Sequence, residues 1–134
     1  MKGAIKMTCR VFVYGTLMKN CYNHDYFLKD QKHLGQAVLP GYALYNLGSF
    51  PGIIPDSQEI VMGELYEIDR EILRRLDMLE GNGHLYIRHS AQVQQQDTAI
   101  EAQVYVWNGQ VHQEDKIEFD AQPWNNECGR LIER

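Results

Sequence analysis

The sequence predicts an α+β domain: a compact, curved mixed β-sheet or small barrel with one or two flanking helices. Three observations lead there. Five segments carry strand patterning, one helix has clear start and stop signals, and strands and helices do not alternate as βαβ units. The chain has 134 residues and no visible repeat, low-complexity block or linker. It therefore reads as a single domain over 1–134, with a core at about 10–107 and a peripheral tail at 108–134.

Val11-Phe12-Val13-Tyr14, closed by Gly15, is a continuous apolar run, as in a strand buried on both faces. A short helix is expected over 22–30. Val38 to Leu47 is a strand candidate broken by Pro40-Gly41, and Phe50-Pro51-Gly52 reads as a rigid loop. IVMGELYEI, residues 60–68, alternates as a strand does, with Gly63 at a bulge or a close approach. Asp69 is a candidate N-cap, with Ile68 and Leu73 at the staple positions. Ile72, Leu73, Leu76 and Leu79 then form a helical apolar stripe that Gly81 stops. Leu85, Ile87, His89, Ala91 and Val93 share one parity of the next strand. Ile100, Ala102, Val104 and Val106 share one parity of the last, and Asp97-Thr98 falls at the turn between them. The polar sequence beyond Trp107 reads as loosely packed.

Composition narrows the function classes. Thirteen Lys/Arg against eighteen Asp/Glu give a net charge of −5, which argues against general binding to nucleic acid or to membrane surfaces. No apolar run approaches the roughly 20 residues that span a bilayer. The basic N-terminus has no separate apolar region or cleavage site, so the cytoplasm is the expected compartment. Cys9, Cys21 and Cys128 have no C-x-x-C spacing and are expected as reduced thiols. No zinc, P-loop, dinucleotide or G-x-S-x-G pattern is present, so neither a metal nor a cofactor is expected. Nothing in the pattern predicts an oligomeric state.

Two places carry candidate chemistry. At Tyr14-Gly15-Thr16-Leu17 a buried strand ends on a glycine, and several backbone N–H groups leave the ladder. They form either an anion or oxyanion site or an ordinary strand exit. Glu80 stands four residues after Leu76 and seven after Leu73, which puts it on the apolar face of the helix. It also lies in the last turn, where the helix dipole disfavours a negative charge. Burial and dipole would both raise its pKa toward that of a general base; the alternative is a frayed, solvated glutamate. Tyr86 and Arg88 follow on one strand parity, with Tyr105 on the next strand. The tyrosines either line a polar cavity or face outward, and Arg88 either binds a substrate carboxylate or pairs with a nearby acid.

VFVYGTL at residues 11–17 and LDMLEG-x-G-x-x-Y-x-R at 76–88 together resemble the gamma-glutamylcyclotransferase-like superfamily. The likeness is greatest to the branch of gamma-glutamylamine cyclotransferases and AIG2-like proteins. Pro40-Gly41-Tyr42, Phe50-Pro51-Gly52 and Gly63-Glu64-Leu65-Tyr66 also fit that branch. Residues 1–9 precede the usual start, and WNNECGR departs from the usual ending. The resemblance implies a mixed-sheet barrel with a polar cavity and a substrate loop of Tyr14, Gly15, Thr16 and Leu17. It implies Glu80 as the acid/base, with a small gamma-glutamyl compound as substrate. The expected reaction is attack of the substrate's α-amine on its own γ-carbonyl, releasing 5-oxoproline and a free amine. Tyr86 and Tyr105 would assist. Two alternatives stand beside it: a non-catalytic binding module on the same fold, and transfer of the gamma-glutamyl group to another amine through Cys9, Thr16 or Cys21.

Overall fold

The computed structural model describes residues 7–125. Six strands and two α-helices occur in the order β1 (Thr8–Val13), α1 (His24–Phe27), β2 (Lys32–Asn46), β3 (Pro51–Asp69), α2 (Arg70–Glu80), β4 (Tyr86–Gln95), β5 (Thr98–Trp107) and β6 (Lys116–Ile117). They form one six-stranded sheet of order β3-β1-β5-β4-β2-β6. It is mixed, because β1 runs parallel to β5 while the other pairings are antiparallel. β2 also pairs with β3, so the pairings return on themselves. The ring is uneven: β1–β5 and β2–β4 meet through the single pairs Val11↔Gln103 and Val38↔Gln94. The predicted α+β class with a compact, curved mixed sheet is therefore what is found.

β1 sits between β3 and β5, which explains its continuous apolar run: Val11, Phe12 and Val13 are all buried. β3 starts earlier than expected. Its residues 51–55 pair with 42–46 of β2, and Leu47 to Phe50 make the turn, so Pro51 and Gly52 belong to the strand rather than to a loop. The β2–β3 register shifts twice, between His33 and Gly35 and between Pro40 and Tyr42. The β4–β5 turn falls on Gln96-Asp97, one residue earlier than expected, and α1 is a single turn rather than nine residues.

The second helix matches its signals. Asp69 accepts a hydrogen bond from the Ile72 N–H at 2.9 Å, and Gly81 ends the helix with φ 61°, the left-handed conformation glycine tolerates best. Leu73 and Leu76 are buried against the sheet. The tail is not loose over its described part. Trp124 is 2% exposed and joins the core. The Gln122 side chain accepts from the Met62 N–H at 2.7 Å and donates to the Ile117 carbonyl at 3.1 Å. Residues 126–134, which include Cys128, lie outside the described residues. Cys9 is a free thiol, whereas Cys21 is disulfide-bonded, contrary to the expectation of reduced cysteines. Among the described residues no helix is long and apolar enough to cross a membrane.

Candidate active site

Where β1 ends, the chain leaves the sheet and turns over a cleft of about 280 Å³. Gly15 is there because Pro51 is there: a Cβ at position 15 would lie 2.8 Å from the proline ring. The carbonyls of Gly15, Thr16 and Leu17 are all used. Gly15 O accepts from Met18 N at 3.0 Å, and Thr16 O from Asn23 N at 2.8 Å. Leu17 O lies 3.2 Å from His24 Nδ1. The Asn23 side chain also donates to the Thr16 hydroxyl at 2.8 Å. By contrast, no hydrogen bond among the described residues uses the N–H groups of Gly15, Thr16 or Leu17. Three successive amides held by their own carbonyls, with donors unspent, have the makings of an anion or oxyanion site.

A second brace reaches the loop from β3. One oxygen of Glu64 accepts from Lys19 N at 2.9 Å and from the Tyr66 hydroxyl at 3.0 Å. Tyr66 in turn stacks obliquely between His24 and His33, at ring distances of 5.7 and 4.9 Å. The loop is thus fixed to the sheet at Lys19 and at His24.

Glu80, the last residue of α2, lines the same cleft. No hydrogen bond or ion pair among the described residues engages its carboxylate. Withdrawal from water pushes its pKa up to about 7. Burial supplies the cause by itself; the helix dipole expected to add to it is not needed.

The tyrosines face inward. Tyr14, Tyr86 and Tyr105 are buried and line the cleft with Glu80. Their hydroxyl protons are already placed: Tyr14 donates to the Tyr105 carbonyl at 2.6 Å, Tyr86 to the Pro51 carbonyl at 2.7 Å, and Tyr105 to Asp77 at 2.6 Å. Burial, and then neighbouring negative charge including that of Glu80, raises all three hydroxyls well above their usual pKa. They stay protonated at any working pH and are not bases. Arg88 does not line the cleft. It pairs with Asp77, Nε to Oδ1 at 2.8 Å, and donates to Gln103, which is the ion-pair alternative.

The cleft therefore gathers Tyr14, Gly15, Thr16, Leu17, Glu80, Tyr86 and Tyr105 but leaves out Arg88, which the sequence also offered. Tyr22, Asn23, Ser49, Phe50, Leu79 and Leu85 also line it and were not singled out. Asp77, which anchors both Tyr105 and Arg88, was missed as well; its signal is its place three residues before Glu80, on the side facing Tyr105. Among the described residues no group of three His, Cys, Asp or Glu side chains is placed to hold a metal.

Comparison with known proteins follows the same residues. The family model for "Gamma-glutamyl cyclotransferase, AIG2-like" matches residues 11–126. A protein of Vibrio cholerae is 48% identical over 71 residues, 52% of this chain, and this chain spans 60% of that protein's length. The gamma-glutamylcyclotransferase family protein YtfP of Escherichia coli K12 is 36% identical over 83 residues, 62% of this chain and 72% of YtfP. The gamma-glutamylaminecyclotransferase of Rattus norvegicus is 35% identical over 111 residues, 74% of this chain and 66% of its own. The crystal structure of an AIG2-like protein from Mus musculus superposes with a TM-score of 0.71 at 27% identity, covering 81% of this chain and 82% of that one.

Proposed function

We infer the reaction from a family and a cleft: the chain belongs to the AIG2-like gamma-glutamyl cyclotransferases, and its unpartnered carboxylate shares a cavity with unspent amides. The proposed activity is the conversion of a gamma-glutamyl amide to 5-oxoproline and a free amine.

The substrate carries both reactants, so the protein supplies position and proton transfer rather than a nucleophile. Ionised Glu80 takes a proton from the substrate's α-ammonium. The freed amine attacks the γ-carbonyl carbon and closes a five-membered ring. Charge develops on the γ-oxygen, and the N–H groups of Gly15, Thr16 and Leu17 are the donors available to receive it. Glu80 then returns its proton to the departing nitrogen as the amide C–N bond breaks, and the second proton lost by the ring nitrogen passes through the same carboxylate to the freed amine, which leaves as an ammonium. A carboxyl whose pKa lies near 7 suits both halves of this cycle, since it is neither too weak to accept nor too acidic to hold the proton. The rings of Tyr14, Tyr86 and Tyr105 wall the site, and their fixed hydroxyls hold Pro51 and Asp77 in place.

The carrying observation is the placement of Glu80. A solvated Glu80 would have favoured a mere binding module. Gamma-glutamyl transfer would need a nucleophile. Cys9 does not line the cleft, Cys21 is disulfide-bonded, and the Thr16 hydroxyl is held by Asn23. The test is incubation with gamma-glutamyl-lysine and gamma-glutamyl dipeptides, with 5-oxoproline read by mass spectrometry. Wild type is expected to form it, and Glu80→Gln to be slower by about 10²–10⁴-fold. Full activity in that variant would remove Glu80 from the mechanism.

A further inference from the structure

A backbone amide is aimed by the peptide group it belongs to. The peptides of the loop after β1 are all trans, and a trans peptide points its C=O and the next residue's N–H in opposite directions. Whatever grips a carbonyl there therefore aims an amide. Asn23 N donates to Thr16 O at 2.8 Å, which turns the Leu17 N–H the other way. His24 Nδ1 lies 3.2 Å from Leu17 O, which turns the Met18 N–H back to Gly15 O at 3.0 Å. That last bond in turn aims the Thr16 N–H. Two of the unspent amides thus depend on two consecutive residues where α1 begins. Of these carbonyl grips, only that of His24 is made by a side chain, and His24 stands outside the cleft.

The ring has one way to do this. Leu17 O can only accept, so Nδ1 carries the proton. The other neighbour of Nδ1 agrees. The Tyr66 hydroxyl stands 3.4 Å away but gives its single proton to Glu64 at 3.0 Å, so toward His24 its oxygen can only accept. Leu17 is 4% exposed, and among the described residues no other hydrogen bond reaches its carbonyl. Without the His24 donor that carbonyl must turn to find a partner, and the Met18 and Thr16 N–H groups turn with it. We propose that His24 is a positioning residue for the reaction: its Nδ1–H, through Leu17 O and Met18 N, aims the Thr16 amide at the developing oxyanion. The role rests on the proposed reaction; the tautomer does not.

Long-range proton–nitrogen NMR correlations of the imidazoles at pH 8.5 read the tautomer without substrate, the His24 signals being those that His24→Phe removes. A protonated Nδ1 and a bare Nε2 are expected, and the opposite tautomer overturns the clamp. His24→Phe keeps an aromatic ring against Tyr66 and has no donor. With the gamma-glutamyl substrates it is expected to lower kcat for 5-oxoproline release by about 10–10²-fold while KM changes by less than about threefold. His24→Asn returns an N–H close to the Nδ1 position and is expected to recover most of that loss. A wild-type kcat in His24→Phe overturns the positioning role, as does a loss carried by KM, or a His24→Asn no faster than His24→Phe. Absence of 5-oxoproline from wild type is a different result: it overturns the reaction itself, and the positioning role with it, whichever tautomer is found.

Discussion

Replacing Glu80 by glutamine tests the site without any substrate. The carboxyl's pKa rises from 4.5 to about 7 because the fold withdraws it from water. The folded state therefore favours the protonated form. Below pH 4.5 the group is neutral in folded and unfolded chains alike and has no effect on stability. As pH rises toward 7 the unfolded chain ionises freely and the folded one does not, so stability is lost across that window and stays lost above it. At about 1.36 kcal/mol per tenfold in acidity, the full loss is about 3 kcal/mol, trimmed to about 2 because the cleft opens to solvent. Glutamine has the same shape and never ionises. Glu80→Gln is thus expected to be more stable than wild type by about 2–3 kcal/mol at pH 8 and by less than about 1 kcal/mol at pH 5. Urea unfolding followed by circular dichroism at the two pH values reads this directly. A variant no more stable at pH 8 than at pH 5, relative to wild type, would mean that the carboxylate is solvated and that the site has been misread.

Three further outcomes follow from neighbouring residues. If ionised Glu80 is the base, kcat/KM for 5-oxoproline release falls about tenfold per pH unit below an apparent pKa near 7; a flat profile from pH 5 to 8 counts against the assignment. Gly63→Ala places a Cβ 2.3 Å from the Val13 carbonyl oxygen and 2.7 Å from the Phe12 ring, and a loss of about 2–3 kcal/mol in urea unfolding is expected, with no loss refuting the contact. Glu64→Ala releases both Lys19 N and the Tyr66 hydroxyl, and is expected to raise KM about tenfold while changing kcat less, with unchanged KM showing that the loop does not depend on this brace.

Much of this architecture was legible because its signals are local. The run Val11–Val13 needed only its apolar continuity, and α2 needed only Asp69 before it and Gly81 after it. β3 was under-read for a non-local reason. Pro51 and Pro55 look like loop, and only pairing with Tyr42 to Asn46 makes them strand; Ser57-Gln58-Glu59 fall in the register shift between Pro40 and Tyr42. The two-sided alternative for Tyr86 and Tyr105 also had a long-range origin. Alternation separates two faces when one is wet, but here the second face is covered by the cleft and by Asp77 on α2, so Tyr105 is buried beside Val104 and Val106. Trp124 gave no periodic signal at all, standing alone in a polar stretch, yet it is among the most buried side chains described.

The arrangement around Glu80 explains why its isolation persists. A carboxylate withdrawn from water usually acquires a partner, and three hydroxyls line the same cleft as Glu80: those of Tyr14, Tyr86 and Tyr105. Each is held elsewhere. Tyr14 and Tyr86 give their protons to backbone carbonyls, and Asp77 draws off both Tyr105 and Arg88. Asp77 thereby holds the Tyr105 hydroxyl away from Glu80, and burial raises that pKa unopposed. On the proposed function, this is why the acid three residues earlier on the same helix matters as much as the acid in the cleft. Asp77→Ala would free the Tyr105 hydroxyl to turn toward Glu80, and the acid limb of the pH–rate profile would then move below 7. A limb that stays in place would show that Glu80 owes its pKa to burial alone, with no contribution from the groups held away from it.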